Sequence, residues 1–331
     1  MQHSLPSHLN WQNTWWAYAI NPCWRSLVSG AWGTRAFWLR FLHQWQNQIY
    51  PKREGMLRIM HISNQDILRT IETNGVAHSV YWCHWPKMRR VEHPHAIVTE
   101  SDLPCPFFNN VFSADIPVSD AEPLIDDLIG RFLSRNVPCF WWLGPVNHDQ
   151  HTAEILASRG FVKAFEAAAM AIDLSNCPMP NSGTVDIREA ECASQMSDWC
   201  STCTAAFEFD DALSGWWHEL FTSIPHGRSS PLSHFLASVD GKPVGTASSF
   251  VEDGVVGLAS VGVRPEHRRR GIGSAITLAA LDAARKAGCR LGVLFSSPMA
   301  VTMYEGLGFR RHGTGHCYMW SPRDGEAGIN H

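Results

Sequence analysis

The stretch Val261-Gly-Val-Arg-Pro-Glu-His-Arg-Arg-Arg-Gly-Ile-Gly-Ser274 decides how this sequence is interpreted. An apolar strand ends at Val263, Pro265 interrupts it, and Gly271 and Gly273 lead directly into a helix. A helix start presents about four unpaired backbone N–H groups and the positive end of the helix dipole. Because glycines let the backbone approach a bulky anion, the stretch predicts a pyrophosphate cradle made mainly of main-chain groups.

Three arginines, Arg268, Arg269 and Arg270, precede the glycines, and we expect their side chains at the rim of the cradle, where they suit the phosphates of a nucleotide cofactor. Two other phosphate-binding motifs do not fit. A dinucleotide-binding fold needs GxGxxG and an acidic residue on the next strand, and a P-loop needs GK[ST]. The stretch has neither pattern.

A second stretch, Ser297-Pro-Met-Ala-Val-Thr-Met-Tyr-Glu-Gly-Leu-Gly-Phe309, follows on a predicted short helix. Taken in order, the two stretches resemble the acyl-CoA signature (R/Q-x-x-G-x-G/A) and the next signature of the GNAT superfamily of N-acyltransferases. The resemblance implies acetyl-CoA as cosubstrate. It implies that the strand end binds the pantetheine arm and the thioester, and that the loop and helix start bind the pyrophosphate. The implied binding residues are Val261, Gly262, Val263, Arg268, Arg269, Arg270, Gly271, Ile272, Gly273, Ser274 and Ser297.

The resemblance also implies that Tyr304 protonates the departing CoA thiolate. A phenol with an ordinary pKa of about 10 is protonated at neutral pH and can donate to sulfur. A core tyrosine with a satisfied hydroxyl is the alternative. Two positions depart from the family pattern. Ser297 stands where many relatives have Asn, and its hydroxyl can still bond the pantetheine. Gly292 stands where the branch that acetylates protein N-termini has Glu, which disfavours such an acceptor.

No motif fixes the base that must take a proton from the attacking amine. Glu208 and Asp210 are the favoured catalytic candidates, and the alternatives are other acidic or His side chains, a water chain, or electrostatic attraction of a cationic amine by the segment 208–211. The remaining side chains considered for the base are Asp211, His218, Glu252 and Asp253. Four aromatic residues, Phe207, Phe209, Trp216 and Trp217, either line an apolar acceptor pocket or pack a helix on the sheet.

The second half, residues 185–321, predicts an α+β domain. Strands are expected over 185–188, 234–239, 244–251 and 255–263, the last three as an antiparallel meander with a hairpin turn at Asp253-Gly254. Helices are expected over about 191–207, over 216–221 and over 271–287. A further strand over 290–295, a helix over 298–307 opened by Ser297 and Pro298, and a closing strand over 309–320 follow.

The first half, residues 56–174, echoes the second. An apolar strand reaches a proline at 140–145, a Gly-Phe pair follows at 160–161, and a strand closes the unit over 167–174. Leu156 takes the position of Tyr304, and the helix over 121–136 is not preceded by R-x-x-G-x-G. The fold class is therefore predicted as two GNAT-like domains in tandem, each a mixed, mostly antiparallel sheet flanked by helices, the first degenerate and supporting the second. Residues 175–184 form the predicted linker and 322–331 the predicted tail.

Residues 1–50 form a Trp-rich leader with a predicted amphipathic helix over 37–49, which either packs on the first domain or makes a homodimer or membrane-surface contact. The net charge of −4 gives no basic footprint for nucleic acid. We expect no metal site, because Cys200-x-x-Cys203 has no second ligand pair and the histidines show no ligand spacing. Without a signal peptide or a transmembrane run, the cytoplasm is the expected location.

These observations predict an N-acetyltransferase that moves an acetyl or other short acyl group from CoA to the amine of a small molecule. The intact cradle and Tyr304 favour this function. The alternatives are a CoA-sensing or scaffolding protein without transfer, an acyl-CoA decarboxylase, and a protein acetyltransferase on the same fold.

Overall fold

The computed structural model describes residues 20–21, 63–112, 121–146, 150–178, 185–227 and 229–322. The leader helix predicted over 37–49, and with it the predicted dimer or membrane contact, lies outside these residues. Most of the predicted linker and tail lies outside them as well.

The described chain before the predicted linker contains three α-helices and seven strands, and the first strand lies in the leader. In chain order they are β1 (Ile20–Asn21), α1 (Asn64–Val80), β2 (Tyr81–Trp82), β3 (Met88–His93), β4 (Ala96–Ser101), β5 (Asn110–Phe112), α2 (Ala121–Leu133), β6 (Cys139–Leu143), α3 (Gln150–Ser158) and β7 (Val162–Asp173). The helix predicted over 121–136 ends at Leu133, and Asn136 adopts a left-handed φ of 52° in the turn that follows. The predicted closing strand is β7, which begins five residues before the expected Ala167.

The described part of the second half contains four helices and six strands. They are β8 (Asp186–Glu189), α4 (Ala193–Ala206), α5 (Asp211–Ser223), β9 (Leu232–Val239), β10 (Lys242–Glu252), β11 (Val255–Val263), α6 (Ile272–Lys286), β12 (Leu291–Ser296), α7 (Val301–Gly306) and β13 (Arg310–Trp320). Each predicted element is present with bounds shifted by a few residues. The largest shifts are at the starts of α5 and α7.

Eleven strands form one sheet in the order β3-β4-β5-β6-β13-β7-β12-β11-β10-β9-β8. The pairs β5–β6 and β11–β12 are parallel and the other neighbours are antiparallel. The mixed, mostly antiparallel sheet flanked by helices is therefore confirmed, and β9, β10 and β11 form the predicted meander.

The two halves exchange their last strands. β13 of the second half lies between β6 and β7, and β7 of the first half pairs with β12 over six residue pairs, from Leu291↔Asp173 to Ser296↔Ala168. The halves therefore share one continuous sheet, a feature that the sequence analysis did not predict. The domain boundaries 56–174 and 185–321 stay a prediction.

Helices cover both faces of the second-half sheet, as the alternation along its strands shows. Leu236 packs in the core with α4 and α5, whereas its neighbours Phe235 and Ala237 pack on the opposite face with α6 and α7. Helix α1 of the first half packs on the face away from α6, because its Ile71 contacts Ala169 and Ala171 while the alternate residues of β7 face α6. A first-half helix thus lies over second-half strands.

The tryptophans of the described chain make the contact between the halves. Trp82 of the first half packs edge-to-face against Trp217 and Phe221 of α5, with ring centroids 5.4 and 5.5 Å apart. All three side chains are almost fully buried. Trp217 therefore serves helix packing, the second of the two interpretations that the sequence left open.

The described residues contain neither a candidate membrane-spanning helix nor a candidate metal site. In these ranges no helix is both long enough and apolar enough to cross a membrane. Over the same ranges, His, Cys, Asp and Glu side chains do not gather in threes or more where a metal ion could be held.

Candidate active site

The loop between β11 and α6 is shaped by left-handed residues. A short 3₁₀ turn, Pro265–His267, leaves the strand. Arg269 then adopts a φ of 61° and Gly271, the N-cap of α6, a φ of 75°. A Cβ built on Gly271 would meet no atom within 4 Å, so the glycine is required by its backbone conformation and not by crowding inside the protein. The residues of the first turn of α6, from Gly271 to Ser274, line a cavity, and the N–H groups of a first turn have no partner within the helix.

Arg268 differs in role from the other two arginines. Its Nε donates to the carbonyl oxygen of Val263 at 3.1 Å and its Nη2 to the carbonyl oxygen of Ala206 at 2.8 Å. A weaker contact of 3.5 Å joins Nη2 to Oε1 of Glu208. The guanidinium therefore ties the loop to the ends of β11 and α4, where the sequence analysis expected a cation facing the phosphates.

The loop forms one wall of a cavity of about 510 Å³. The other walls are the end of β11, the end of α4 and the segment from Ser297 through α7. All the predicted binding residues except Arg270 line it, and so does Tyr304. The lining also includes Phe207, which the sequence analysis considered as a pocket residue, and six residues to which it assigned no role: Ala206, His267, Met299, Ala300, Thr302 and Met303. Arg270 instead contacts His267, with Nη1 and Nδ1 3.1 Å apart.

A β-bulge interrupts β11 beside the cavity. The register against β10 shifts between Thr246, opposite Gly262, and Ser248, opposite Ala259, so Ser260 and Val261 together lie opposite Ala247, and Ser260 has a φ of 53°. An extra residue in a strand re-aims the backbone groups next to it and is common beside active sites. Val261, one of the predicted pantetheine and thioester contacts, lies in the bulge, and Gly262 follows it directly.

The two parallel strands of the second half separate at this point. β11 and β12 pair through three residue pairs, which end at Gly257↔Val293. Beyond that pair β12 continues along β7, whereas residues 258–263 of β11 run on without β12 as a partner. We call this opening the splay and Gly257↔Val293 its apex. Its open end leads to the 510 Å³ cavity, because Val261 and Ser297 line that cavity.

Tyr304 lies on α7 and faces the cavity with 6% of its surface exposed. Its ring packs edge-to-face on Phe309, with centroids 5.4 Å apart. Burial raises the pKa of its hydroxyl above the ordinary value. The phenol is therefore held in its neutral, proton-donating form.

Ser297 lines the cavity as predicted, but the prediction that it caps a helix beginning at Pro298 is wrong. Its carbonyl oxygen accepts from the N–H of Ala300 at 3.1 Å, so residues 297–300 form a turn and α7 begins at Val301. Ser-Pro at the first two positions suits a β-turn as well as a helix start. The turn adds Met299 and Ala300 to the cavity wall.

The favoured base candidates lie outside the lining of the cavity. Asp210 is the N-cap of α5, and its carboxylate accepts from the N–H of Leu213 at 2.8 Å. Glu208 adopts a φ of 56° at the end of α4 and extends toward Arg268. Its neighbour Phe207 lines the cavity, so Glu208 borders its mouth. His218 contacts the hydroxyl of Ser197 on the exposed side of α5.

Residues 193–309, the segment that holds the cradle loop, the bulge and Tyr304, match the model of the Acetyltransferase (GNAT) family. The matched segment begins at α4 and ends just before β13.

Solved structures with similar folds extend the likeness beyond that segment. A GCN5-related N-acetyltransferase from Kribbella flavida is 18% identical with a TM-score of 0.60, covering 78% of this chain and 96% of that chain. A functionally unknown conserved protein from Staphylococcus epidermidis is 17% identical with a TM-score of 0.55, covering 70% and 92%. A GCN5-related N-acetyltransferase from Sphaerobacter thermophilus is 14% identical with a TM-score of 0.50, covering 79% and 94%. At these identities the likeness concerns the fold, and its coverage includes both halves.

Proposed function

We propose that this chain is an N-acetyltransferase that moves an acetyl or other short acyl group from acetyl-CoA to the amine of a small molecule. One observation carries the proposal: the glycine cradle and Tyr304 line the same cavity. A site that only bound CoA would need the first of these and not the second.

The residues present fit the cosubstrate. The first turn of α6 lines the cavity, where its N–H groups suit a pyrophosphate, and Gly271 leaves room for it. Arg269 adds a positive charge on the cavity wall, while Arg268 holds the loop in place. The backbone of Val261–Val263, re-aimed by the bulge, faces the pantetheine arm and the thioester. Acetyl-CoA, when bound, supplies an activated acyl group.

The proposed transfer is a direct attack. An N–C bond forms between the amine and the acyl carbon, and the C–S bond breaks with its electron pair going to sulfur. The amine loses one proton and the sulfur gains one, so amine and thioester yield amide and thiol. Tyr304 donates to the sulfur, and its raised pKa keeps the donor protonated. Glu208 at the cavity mouth is the proposed proton acceptor. Asp210, proposed from the sequence for the same task, is assigned to capping α5.

A small-molecule acceptor is supported by the packing at Gly292. A Cβ there would lie 2.9 Å from side-chain carbons of both Ile172 and Leu281. The position therefore has no space for the glutamate that the N-terminus-acetylating relatives carry. The smaller cavity described below also favours a compact acceptor.

The test is calorimetric titration of acetyl-CoA into the wild type, Gly271→Trp and Gly288→Trp. Gly271 and Gly288 stand at opposite ends of α6, both have positive φ, and both have open space at the Cβ position. The two variants therefore carry the same backbone strain, roughly 1–2 kcal/mol. We expect one micromolar site per chain in the wild type and in Gly288→Trp, and none in Gly271→Trp.

Thiol release with a panel of amines then separates the functions. Turnover that depends on Tyr304 supports transfer. Binding without turnover across the panel would make the chain a CoA-binding protein. Turnover of malonyl-CoA without an acceptor, or acetylation of a protein lysine, would indicate one of the other activities of this fold. If the wild type does not bind acetyl-CoA, the proposal is lost.

A further inference from the structure

A second, smaller cavity of about 90 Å³ lies on the α1 face of the sheet, at the apex of the splay. Helix α1 of the first half forms its roof, and residues 257–259 of β11 and 293–295 of β12 line its floor. Its apolar walls come from Ile71, Phe112, Trp142, Val293 and Phe295. An apolar cavity of roughly 150 Å³ admits benzene, so this one suits a ligand of only a few non-hydrogen atoms.

Two buried polar groups of α1 line this cavity. Among the residues that the structure describes, the Nδ2 of Asn74 and the Nε2 of His78 have no hydrogen-bond partner, although the two residues are only 4% and 5% exposed. They are four residues apart, so they lie one turn apart on the same side of the helix. Buried polar groups in native proteins nearly always have partners, and each exception needs an explanation. A bound ligand that accepts a hydrogen bond from Asn74 and forms another with His78 would explain both unpartnered groups.

A glycine in β11, Gly257, makes space for the side chain of Asn74. A Cβ on Gly257 would lie 1.9 Å from the Oδ1 of Asn74, so the amide rests directly on the backbone of β11 at the apex. A glycine inside a strand weakens the strand and marks a site of close approach. The amide is therefore held at the apex by the packing around it.

The small cavity lies close to the proposed acetyl-CoA cavity. Along β11, Ala259 lines the first and Val261 the second, with Ser260 between them; along β12, Phe295 and Ser297 are separated by Ser296. Two residues of extended strand span roughly 7 Å. A small molecule seated at the apex can therefore present one end to the thioester site.

The groups in the cavity select among small amines. Burial lowers the pKa of His78 to about 3, so its imidazole is neutral and balances no anionic charge. The carboxyl group of Glu72 also lines the cavity, and its Oε2 accepts from the N–H of Val146 at 3.4 Å. The described residues that line the cavity include no lysine or arginine, so a carboxylate on the ligand would have no cationic partner there. An uncharged hydroxyl or amide satisfies both Asn74 and His78.

We propose that this cavity is the acceptor subsite, and that the acceptor is a compact primary amine bearing an uncharged hydroxyl or amide group, which Asn74 and His78 bind. The inference rests on the proposed function, since it names the substrate class of that reaction. It makes the first half of the chain a contributor to substrate recognition.

The test compares four probes of similar size at saturating acetyl-CoA: aminoethanol, glycinamide, propylamine and glycine. We expect kcat/KM for aminoethanol and glycinamide to exceed that for propylamine by about 10- to 100-fold, since propylamine leaves two buried groups unpaired, and glycine to be the poorest. Asn74→Ala should lower kcat/KM for the two polar probes by about the same factor and narrow their advantage over propylamine. Thr73→Ala, at an exposed neighbouring position on α1, is the matched control. It should change neither kcat/KM for the two polar probes nor their advantage over propylamine.

Two readouts separate this inference from the proposed function. Acetyl-CoA affinity by calorimetry should be equal in the wild type, Asn74→Ala and Thr73→Ala. Aminoethanol alone should raise the melting temperature of the wild type but not of Asn74→Ala. Turnover that favours glycine or propylamine, or an Asn74→Ala variant with unchanged probe preference, would overturn the subsite while the transferase function stands. If Asn74→Ala fails to fold, the ranking of the four probes by the wild type decides.

Discussion

Replacing Arg268 with Ala tests whether this side chain stabilises the conformation of the cradle loop or only supplies a positive charge for the phosphates. The guanidinium bonds the carbonyl oxygens of Val263 and Ala206, at 3.1 and 2.8 Å, and so joins the loop to one strand end and one helix end. Both elements form walls of the proposed cosubstrate cavity. We therefore expect the loss of Arg268 to reduce protein stability and acetyl-CoA affinity together.

The magnitude follows from the two bonds. Hydrogen bonds from a charged donor contribute about 1.5–3 kcal/mol each, and the lower value applies because the Arg268 side chain is 33% exposed. The contact with Glu208, whose side chain is 47% exposed, adds little. The free energy of unfolding should thus fall by about 3 kcal/mol. For a chain of 331 residues that corresponds to a drop in Tm of roughly 4 °C.

The assay is thermal unfolding and acetyl-CoA titration of Arg268→Ala beside Arg269→Ala, at low and high salt. Arg269 lines the cavity, and Arg269→Ala should leave Tm unchanged and weaken binding by an amount that shrinks as salt rises. Arg268→Ala should lower Tm and weaken binding about equally at both salt concentrations. An unchanged Tm with a binding loss that disappears at high salt would refute the reasoning, because Arg268 would then act on the phosphates directly.

Three further predictions concern the chemistry and the apex. Tyr304→Phe should lower kcat by about 100-fold or more with unchanged acetyl-CoA affinity, and in the wild type kcat should show no decline from tyrosine ionisation as pH rises through 10, because the raised pKa keeps the donor protonated. Glu208→Gln should lower kcat by about 100-fold, whereas Asp210→Asn should keep both kcat and Tm, since Asn caps a helix as well as Asp. Gly257→Ala should raise the acceptor KM without affecting acetyl-CoA binding, because the added methyl group displaces Asn74.

Matched variants control these experiments. Tyr318→Phe removes a hydroxyl from a buried tyrosine in the first-half core, outside the cavity lining, and should retain full kcat. Gly215→Ala adds a methyl group to an exposed position of α5 where no atom lies within 4 Å, and should slightly raise Tm without changing any KM. A loss of kcat in Asp210→Asn with an intact Tm would reverse the assignments of Glu208 and Asp210. A normal acceptor KM in Gly257→Ala would contradict the place of Asn74 at the apex.

The parts of the site that sequence reasoning predicted are those encoded within one short stretch. A strand end, a breaking proline and two glycines lie within fourteen consecutive residues, and they fold against one another locally. Val261, Gly271 and Gly273 therefore line the cavity as expected. The prediction that Ser297 caps a helix was wrong for a local reason as well. Ser-Pro suits either a turn or a helix start, and residues 297–300 form the turn.

The remainder depends on contacts between distant residues, which a local pattern does not encode. The partners of Arg268 include Ala206, 62 positions away. Strand β7 carries a continuous apolar run, Ala167–Ile172, that would suit any neighbour, and nothing in it indicates that it pairs with β12 and β13 of the other half. In the sequence, Asn74 and His78 are two polar residues in a segment of the first half, for which no cradle is predicted. Nothing in that segment indicates that they lie beside β11 and β12.

The exchange of strands gives that half a reason to be retained. It places β7 beside β12, and α1, which packs on β7, therefore lies over the apex of the splay. A helix that served only as support would present apolar side chains there, because unpaired buried polar groups destabilise a fold. α1 instead places Asn74 and His78 over the apex, opposite a glycine that makes room for the amide. The first half, whose sequence predicts neither a cradle nor a counterpart of Tyr304, is thus proposed to contribute to the reaction through the acceptor and not through the cosubstrate.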